Sequence, residues 1–368
     1  MSARRVRGGG ARAETDEVLD GVNDGVSARR RFTRFRIKGK PPDMEDANAV
    51  PSYCVVIEWD NLRLSEMGRA RRMLTELFRQ MSALTAAARA SGSVVVAFDS
   101  SEADEKLVRQ VVLEHAGGVW ASKVAFAACP GARYYQLKNS GARPTDSDVL
   151  VFLDSDVIPE PGWLERLLSA FENPAVEVVC GGTFISPESL YGKAFALFWF
   201  FPLRREARDV YRTRHFFANN VAFRRDVFAR YPFPKLAQSR GQCVALAATL
   251  VEKNVGLFRR GDAWVSHPPP NGIRHFCLRA ITDGHDYLAA AQRNSGATRL
   301  PWRATYWPLR ANVRDAAARI RADCREVGLG RAGAAYAMAL AATYYLLAAA
   351  GELATRASPG FVRRFLLV

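Results

Sequence analysis

Short apolar runs alternate with longer stretches of helical periodicity from residue 53 onward. Residues 53–57 form an unbroken apolar run of strand length. Between 65 and 90 the apolar residues Met67, Leu74, Leu77, Phe78, Met81 and Leu84 recur at helical spacing, and Gly92 closes the pattern. A second strand is predicted over 93–98. Ser101 with Asp104 three residues on has the form of a capping box and predicts a helix over 102–116, stopped by Gly117-Gly118. Further strands are expected at 124–128, 149–153 and 176–180, and Pro161 opens a helix over 161–172. Strands alternating with helices predict an α/β fold: a Rossmann-like, mostly parallel sheet with helices on both faces.

This order gives meaning to TDSDVLVFLDSDVIPE (145–160), where one acidic tripeptide occurs on each side of an apolar strand. Ligands of open α/β sheets bind beyond the carboxyl ends of the strands. At about 3.3 Å per residue, the strand separates Asp146-Ser147-Asp148 from Asp154-Ser155-Asp156 onto opposite edges. Glu58 and Asp60 follow the first strand and Asp99 follows the second, so three strands deliver carboxylates to the edge of Asp154. In an extended segment Asp154 and Asp156 point the same way. Such oxygens suit Mn²⁺ or Mg²⁺, which keep positions open for phosphate oxygens of a substrate.

Charge narrows the partners. The 368 residues carry a net charge of +15, concentrated in 1–40 (11 Lys/Arg against 5 Asp/Glu) and 201–240 (10 against 3). No helix-turn-helix, zinc-finger or RNA-binding aromatic signature accompanies it, so phosphorylated ligands and anionic lipids are favoured over nucleic acid. Residues 1–45, rich in Arg, Gly, Asp and Pro, read as a disordered basic arm. The six cysteines lack CxxC spacing, which argues against a zinc site and for a reducing cytosol. No apolar run follows the basic N-terminus, so no signal peptide is expected.

Several segments together resemble family 2 glycosyltransferases of the inverting, GT-A type, over roughly residues 50–290. VLVFLDSDVIPEPGWLERLLSAF is similar to that family's metal-binding segment, CVVIEWDN (54–61) to its first strand, and VVVAFDSSE (94–102) to its second. YYQLKNSGA (134–142) resembles a stretch near the donor phosphates, FFANNVAFRRDVF (216–228) the lining of the donor-sugar pocket, and WVSHPPP (264–270) the late metal-binding histidine. The resemblance implies a metal-dependent transfer from a nucleotide-diphosphate sugar. It implies donor contacts at Glu58, Trp59, Asp99 (reading uracil, hence UDP), Lys138, Asp154, Asn219 and Asn220, and Mn²⁺ or Mg²⁺ at Asp154, Asp156 and His267. Read as ordinary structure, Lys138 is a solvated surface lysine, Asn219-Asn220 a turn, and His267 a strand end.

One departure stands out. The family's Glu-Asp, whose Asp deprotonates the acceptor, is replaced by Gln242-Cys243, and neither an amide nor a thiol of ordinary pKa near ~8.5 is a suitable base. Three readings are open: an inactive, binding-only relative; a substitute base at Glu206 or Asp209; or an acceptor already ionised, such as an anionic lipid held by Arg204, Arg205, Arg208 and Arg240. A haloacid dehalogenase type phosphatase also places Asp-x-Asp after a buried strand, but usually has Thr or Val where Ile158 stands.

Residues 332–351 are twenty uncharged residues, ten of them alanine, about long enough for a bilayer's ~30 Å core. A packed helix fits the same pattern. Arg314, Arg319, Arg321, Arg325 and Arg331 precede it, against Arg356, Arg363 and Arg364 after it, so the positive-inside rule puts the large domain in the cytoplasm. The aromatic run 194–203 fits either a membrane interface or a core. The organisation expected is a basic arm (1–45), a transferase domain (50–295) and a C-terminal helical region (296–368) with membrane association.

Overall fold

The computed structural model describes residues 51–61, 66–205, 209–236, 240–297, 299–301, 303–358 and 360. The predicted arm, Glu206 and Arg208 lie outside these residues. The nine described strands form one sheet: β1 (Tyr53–Glu58), β2 (Gly92–Phe98), β3 (Val124–Ala128), β4 (Val149–Asp154), β5 (Ile158–Pro159), β6 (Val178–Ile185), β7 (Val210–Arg212), β8 (Asn220–Arg224) and β9 (Leu257–His267). Their order is β3-β2-β1-β4-β8-β6-β9-β5, with β7 also on β9. The half containing β3, β2, β1 and β4 is wholly parallel, as the alternation of strands and helices predicts. Past β4 the sheet is mixed. β8 enters antiparallel between β4 and β6, and β6 then pairs parallel with β9.

Helices α1 (Met67–Ala83), α2 (Ala86–Ser91), α3 (Glu105–Ala121), α4 (Tyr134–Gly141), α5 (Trp163–Ser169), α6 (Leu190–Ala196), α7 (Arg225–Arg230) and α8 (Gln242–Glu252) surround the sheet. The central strands β1, β2, β4, β6 and β8 are buried on both faces, which is why they read as near-continuous apolar runs, whereas β3 at the sheet edge is partly exposed. Tyr53, Val55 and Ile57 pack with α1, α3 and α5, whereas Cys54 and Val56 pack with Tyr135, Phe223 and Leu246 on the other side.

Three local expectations change. The helix predicted over 65–90 is two helices, because Thr85 leaves helical geometry and its hydroxyl accepts from Ala88 N at 3.3 Å to start α2. Asp104, not Ser101, caps α3: its carboxylate accepts from Lys106 N and Leu107 N. Gly117 and Gly118 break helical geometry at positive φ where the stop is expected, but a further helical turn follows them to Ala121. The aromatic run 194–203 is core: Phe195, Phe198, Trp199 and Phe201 are buried against α9 (Gly272–Ser295), α10 (Arg303–Asp323) and α11 (Arg331–Ala357).

Candidate active site

Parallel pairing of β1 with β4 sets Glu58 directly beside Asp154, and Asp99 follows β2 on the same edge. Asp148 lies at the opposite end of β4. Its carboxylate accepts from Ser52 N (3.0 Å) and Ser52 Oγ (2.7 Å), pinning the entry to β1. The two acidic tripeptides therefore occupy opposite edges.

Asp154 is the hub of the rim. Oδ1 accepts from Lys138 Nζ at 2.6 Å, both oxygens accept from Tyr134 Oη at 2.8 Å, and Oδ2 accepts from Asn61 Nδ2 at 3.0 Å. Lys138 is fully buried, its ammonium 4.8 Å from the centroid of the Tyr134 ring, so it is not the solvated lysine its sequence context allows. Tyr134 and Lys138 sit four residues apart on α4 and so share a face. That spacing was the available signal for Tyr134, which sequence reasoning passed over. Asn61 was also passed over. It bridges the acidic pair, reaching Asp156 Oδ1 at 3.3 Å.

Burial raises the Asp154 carboxyl, and the Lys138 charge opposes the shift. Glu58, fully buried, is held well above its ordinary 4.5, first by burial and then by the Asp154 charge. Its Oε2 accepts from Asp60 N at 2.8 Å, while Oε1 has no hydrogen-bond partner among the described residues. A raised carboxyl binds its proton more tightly folded than unfolded. The stability this confers is complete below pH 4.5 and is lost as pH rises through the folded value. Glu58→Gln copies the protonated form, so it is expected to raise the melting temperature at pH 8 and to flatten the decline of stability between pH 5 and pH 8. Thermal melts in chelator across about pH 4–9 check this.

Asp156 is tied to the far side of the site by Arg69 on α1. The buried Arg69 guanidinium donates from Nε to the Asp156 carbonyl, and from Nη2 to Ser266 O (2.7 Å) and Ser266 Oγ (3.1 Å). Burial lowers its pKa to about 10, so it stays charged at neutral pH. It thereby joins the segment of Asp156 to the end of β9, where His267 follows. His267 Nδ1 lies 2.6 Å from Pro268 O, and its ring packs at a tilt against Phe201, with centroids 5.3 Å apart. Among the described residues no three His, Cys, Asp or Glu side chains form a ready metal cage. The donor set still fits Mg²⁺ or Mn²⁺, which are commonly held by one or two carboxylates together with substrate phosphates. Asp156 and Asp154, cross-linked by Asn61, are that kind of carboxylate pair.

The remaining predicted residues divide. Trp59 is 5 % exposed within the core, leaving Glu58, Asp60 and Asn61 as the polar groups of its turn. Asp99 Oδ1 accepts from Ser101 N (2.9 Å), Ser101 Oγ (2.6 Å) and Gly131 N (2.7 Å), so it also holds the loop after β3. Asn220 is engaged in structure: Oδ1 accepts from Trp163 Nε1, and Nδ2 donates to Gly182 O and Ala263 O. Asn219 Oδ1 accepts from Thr183 Oγ1 at 2.9 Å. Arg204 pairs with Glu160 (3.3 Å), Arg205 with Glu326 (3.3 Å) and Asp323 (3.5 Å), and Arg240 is exposed. At the start of α8, Gln242 is 7 % exposed, and Tyr135 Oη lies 3.4 Å from Cys243 Sγ. Burial pushes the Cys243 thiol up, which removes it further from service as a base.

A twisted α/β sheet with a rim of carboxylates at the ends of β1, β2 and β4 is the scaffold of a GT-A-type glycosyltransferase. Residues 93–231 match the family described as glycosyl transferase family 2. The chain therefore carries a family 2 glycosyltransferase domain. Its fold is shared, at 16 % identity and a TM-score of 0.52, with a mannosyltransferase from Pyrobaculum calidifontis solved in complex with GDP-Man and Mn²⁺; the superposition covers 86 % of this chain and 91 % of that one. A glucosyl-dolichyl phosphate glucuronosyltransferase from Haloferax volcanii is 29 % identical over 103 residues, which is 25 % of this chain. The aligned stretch spans only 31 % of that relative's length.

Proposed function

We propose that the protein transfers a hexosyl group from a nucleotide-diphosphate sugar, with Mn²⁺ or Mg²⁺, to an anionic lipid acceptor at the cytoplasmic face of a membrane. The observation that carries this reading is the rim itself: Glu58, Asp99, Asp154 and Asp156 brought together from three strands at the ligand edge. When bound, the cation supplies stabilisation of the diphosphate leaving group. Asp156 and Asp154 would hold it, with His267 beyond. The Lys138–Asp154 pair adds no net charge there. The transferase unit is assigned to 50–295 and the helical region to 296–368.

A uridine donor is proposed from Asp99, whose carboxylate can accept the ring N–H. Asp99→Asn keeps an acceptor for Ser101 and Gly131 while removing the charge. It is expected to narrow the preference for UDP over CDP by at least about 10-fold, because sites built around a base hydrogen bond discriminate strongly. Competition titrations with both nucleotides measure it, and a wild type without uridine preference refutes the assignment.

The acceptor follows from the missing base. A hydroxyl acceptor must lose a proton, whereas a phosphate monoester is already anionic. Gln242 and Cys243 suit the second case, with Arg204, Arg205, Arg208 and Arg240 assigned to hold the head group by charge-assisted bonds. The name of the Haloferax relative, which includes a dolichyl phosphate, agrees with a lipid-linked acceptor. Incubating labelled donor with polyprenyl phosphate and, separately, with neutral sugars tests the proposal. Cys243→Ser should lower turnover only modestly. Transfer to neutral hydroxyls alone would overturn the anionic acceptor. Binding without any turnover would favour the second reading, a donor-binding protein, which the same Gln242-Cys243 pair supports.

A further inference from the structure

We propose that α10 and α11 dock the protein on an anionic membrane surface, with α11 lying along that surface rather than crossing it. This deepens the membrane association proposed above and does not depend on sugar transfer.

By length and composition α11 could span a bilayer, with 27 residues that are mostly apolar. Its inner face argues otherwise. Ala337, Ala341, Tyr344, Ala348, Gly351 and Thr355 are buried at helical spacing. A Cβ at Gly284 of α9 would overlap the Ala348 carbonyl, and one at Gly351 would overlap that of Ile281, so the two backbones touch. Polar groups fasten the same seam. Tyr344 Oη donates to Asp283 Oδ2, Arg279 pairs with Asp283 at 3.4 Å, and His285 Nδ1 lies 3.0 Å from Thr355 Oγ1. Lifting α11 into hydrocarbon would strip Asp283 of its Tyr344 partner and carry Tyr344 and Thr355 away from theirs, a costly loss.

The outer face has a different character. Every exposed position from 332 to 353 is uncharged, and Leu346 and Leu353 are 66 % and 43 % exposed, in a chain of net charge +15. The neighbouring helix α10 carries the charge. Arg310, Arg314 and Arg321 fall on one exposed face, and Arg325 and Arg331 flank the turn into α11. Nearby acids are largely taken: Asp323 and Glu326 pair with Arg205, and Asp315 with Arg314. Arg319 points the other way, donating to the carbonyls of Ala196, Trp199 and Phe201. An uncharged strip beside a basic one complements an anionic lipid surface. A second copy is the weaker occupant, because a two-fold interface sets a patch against itself and would bring arginine toward arginine.

Flotation of the full-length protein with vesicles decides the matter. Binding is expected to vesicles of equal parts phosphatidylcholine and phosphatidylglycerol, and not to phosphatidylcholine alone. It should collapse in about 1 M salt, where the screening length falls to roughly 3 Å. Joint replacement of Arg310, Arg314 and Arg321 by Ala should weaken it on the order of a hundred-fold, at about five-fold per arginine near an anionic surface. Leu346→Glu with Leu353→Glu should also release the protein, at unchanged melting temperature because both side chains are exposed. Equal binding to neutral vesicles, or retention in cell membranes through an alkaline carbonate wash, would overturn the proposal in favour of a span. Absence from both vesicle types, with a dimer by light scattering, would overturn it in favour of a second copy. Vesicle binding that persists while no acceptor is glycosylated leaves this inference standing and removes only the proposed reaction.

Discussion

Asp156→Ala is expected to abolish cation-dependent binding of the nucleotide-diphosphate sugar, whereas Asp148→Ala leaves it within a few fold. The two residues belong to identical tripeptides and differ in which end of β4 they occupy. Asp156 lies on the ligand edge, shares Asn61 with Asp154, and is positioned by Arg69 through its own carbonyl. Asp148 faces away and, among the described residues, bonds to Ser52 and, through its backbone, to Arg225 N. Even outer partners of a metal typically change its affinity about 10–100-fold, so loss of a ligand carboxylate should exceed 100-fold. Asp148→Ala should instead cost about 1 kcal/mol of stability, the usual worth of a hydrogen bond. Calorimetric titration with donor and Mn²⁺, paired with a denaturant melt of each variant, separates the two effects. Equal losses of binding would show that the edge assignment is wrong.

Lys138→Met should be the most destabilising single change at the site. Lys138 has no exposure, and its ammonium is the only cation whose bond to Asp154 is seen among the described residues. Glu58 stands beside that carboxylate on the neighbouring strand. Removing one partner of a buried ion pair typically costs about 3–5 kcal/mol, because the other is left charged without compensation. The loss should appear as a fall in melting temperature with the protein still folded at low temperature. Adding Asp154→Asn should recover much of it, since the amide carries no charge to strand and Tyr134 and Asn61 can still bond to its oxygen. If the double variant is no more stable than Lys138→Met alone, the cost lies in packing rather than in the unpaired carboxylate.

What could be read in advance follows the range of the interactions involved. Strands β1, β2 and β4 show as apolar runs because both faces of each are covered, and that demand acts residue by residue. The edge on which Asp154 and Asp156 fall follows from the direction of one strand, and so it too was legible. The break at Thr85 was not, because its capping bond competes with a helical pattern that continues across it. The start of α3 was misplaced for a similar reason: Ser101 and Asp104 are both good caps, and Asp99 had already engaged Ser101.

The site's chemistry lies further from local reach. Sequence names Lys138 as a basic residue near the acidic pair, yet only the packing of α4 on the sheet turns its ammonium inward onto Asp154. Three arginines, Arg69, Arg71 and Arg72, look alike along α1, and tertiary contact alone buries Arg69 against Asp156 and Ser266. The insertion of β8 between β4 and β6 pairs strands about seventy residues apart, a choice no local pattern encodes. For α11, composition set an apolar helix about one bilayer long, while Gly284, Gly351 and the Tyr344–Asp283 bond decided which side is buried. By itself the sequence determined the elements and the edge that carries the carboxylates, since these follow from periodicity within single segments. The tertiary structure decided which charges are neutralised and which faces stay open, because those depend on groups that only folding brings within a few ångströms of each other.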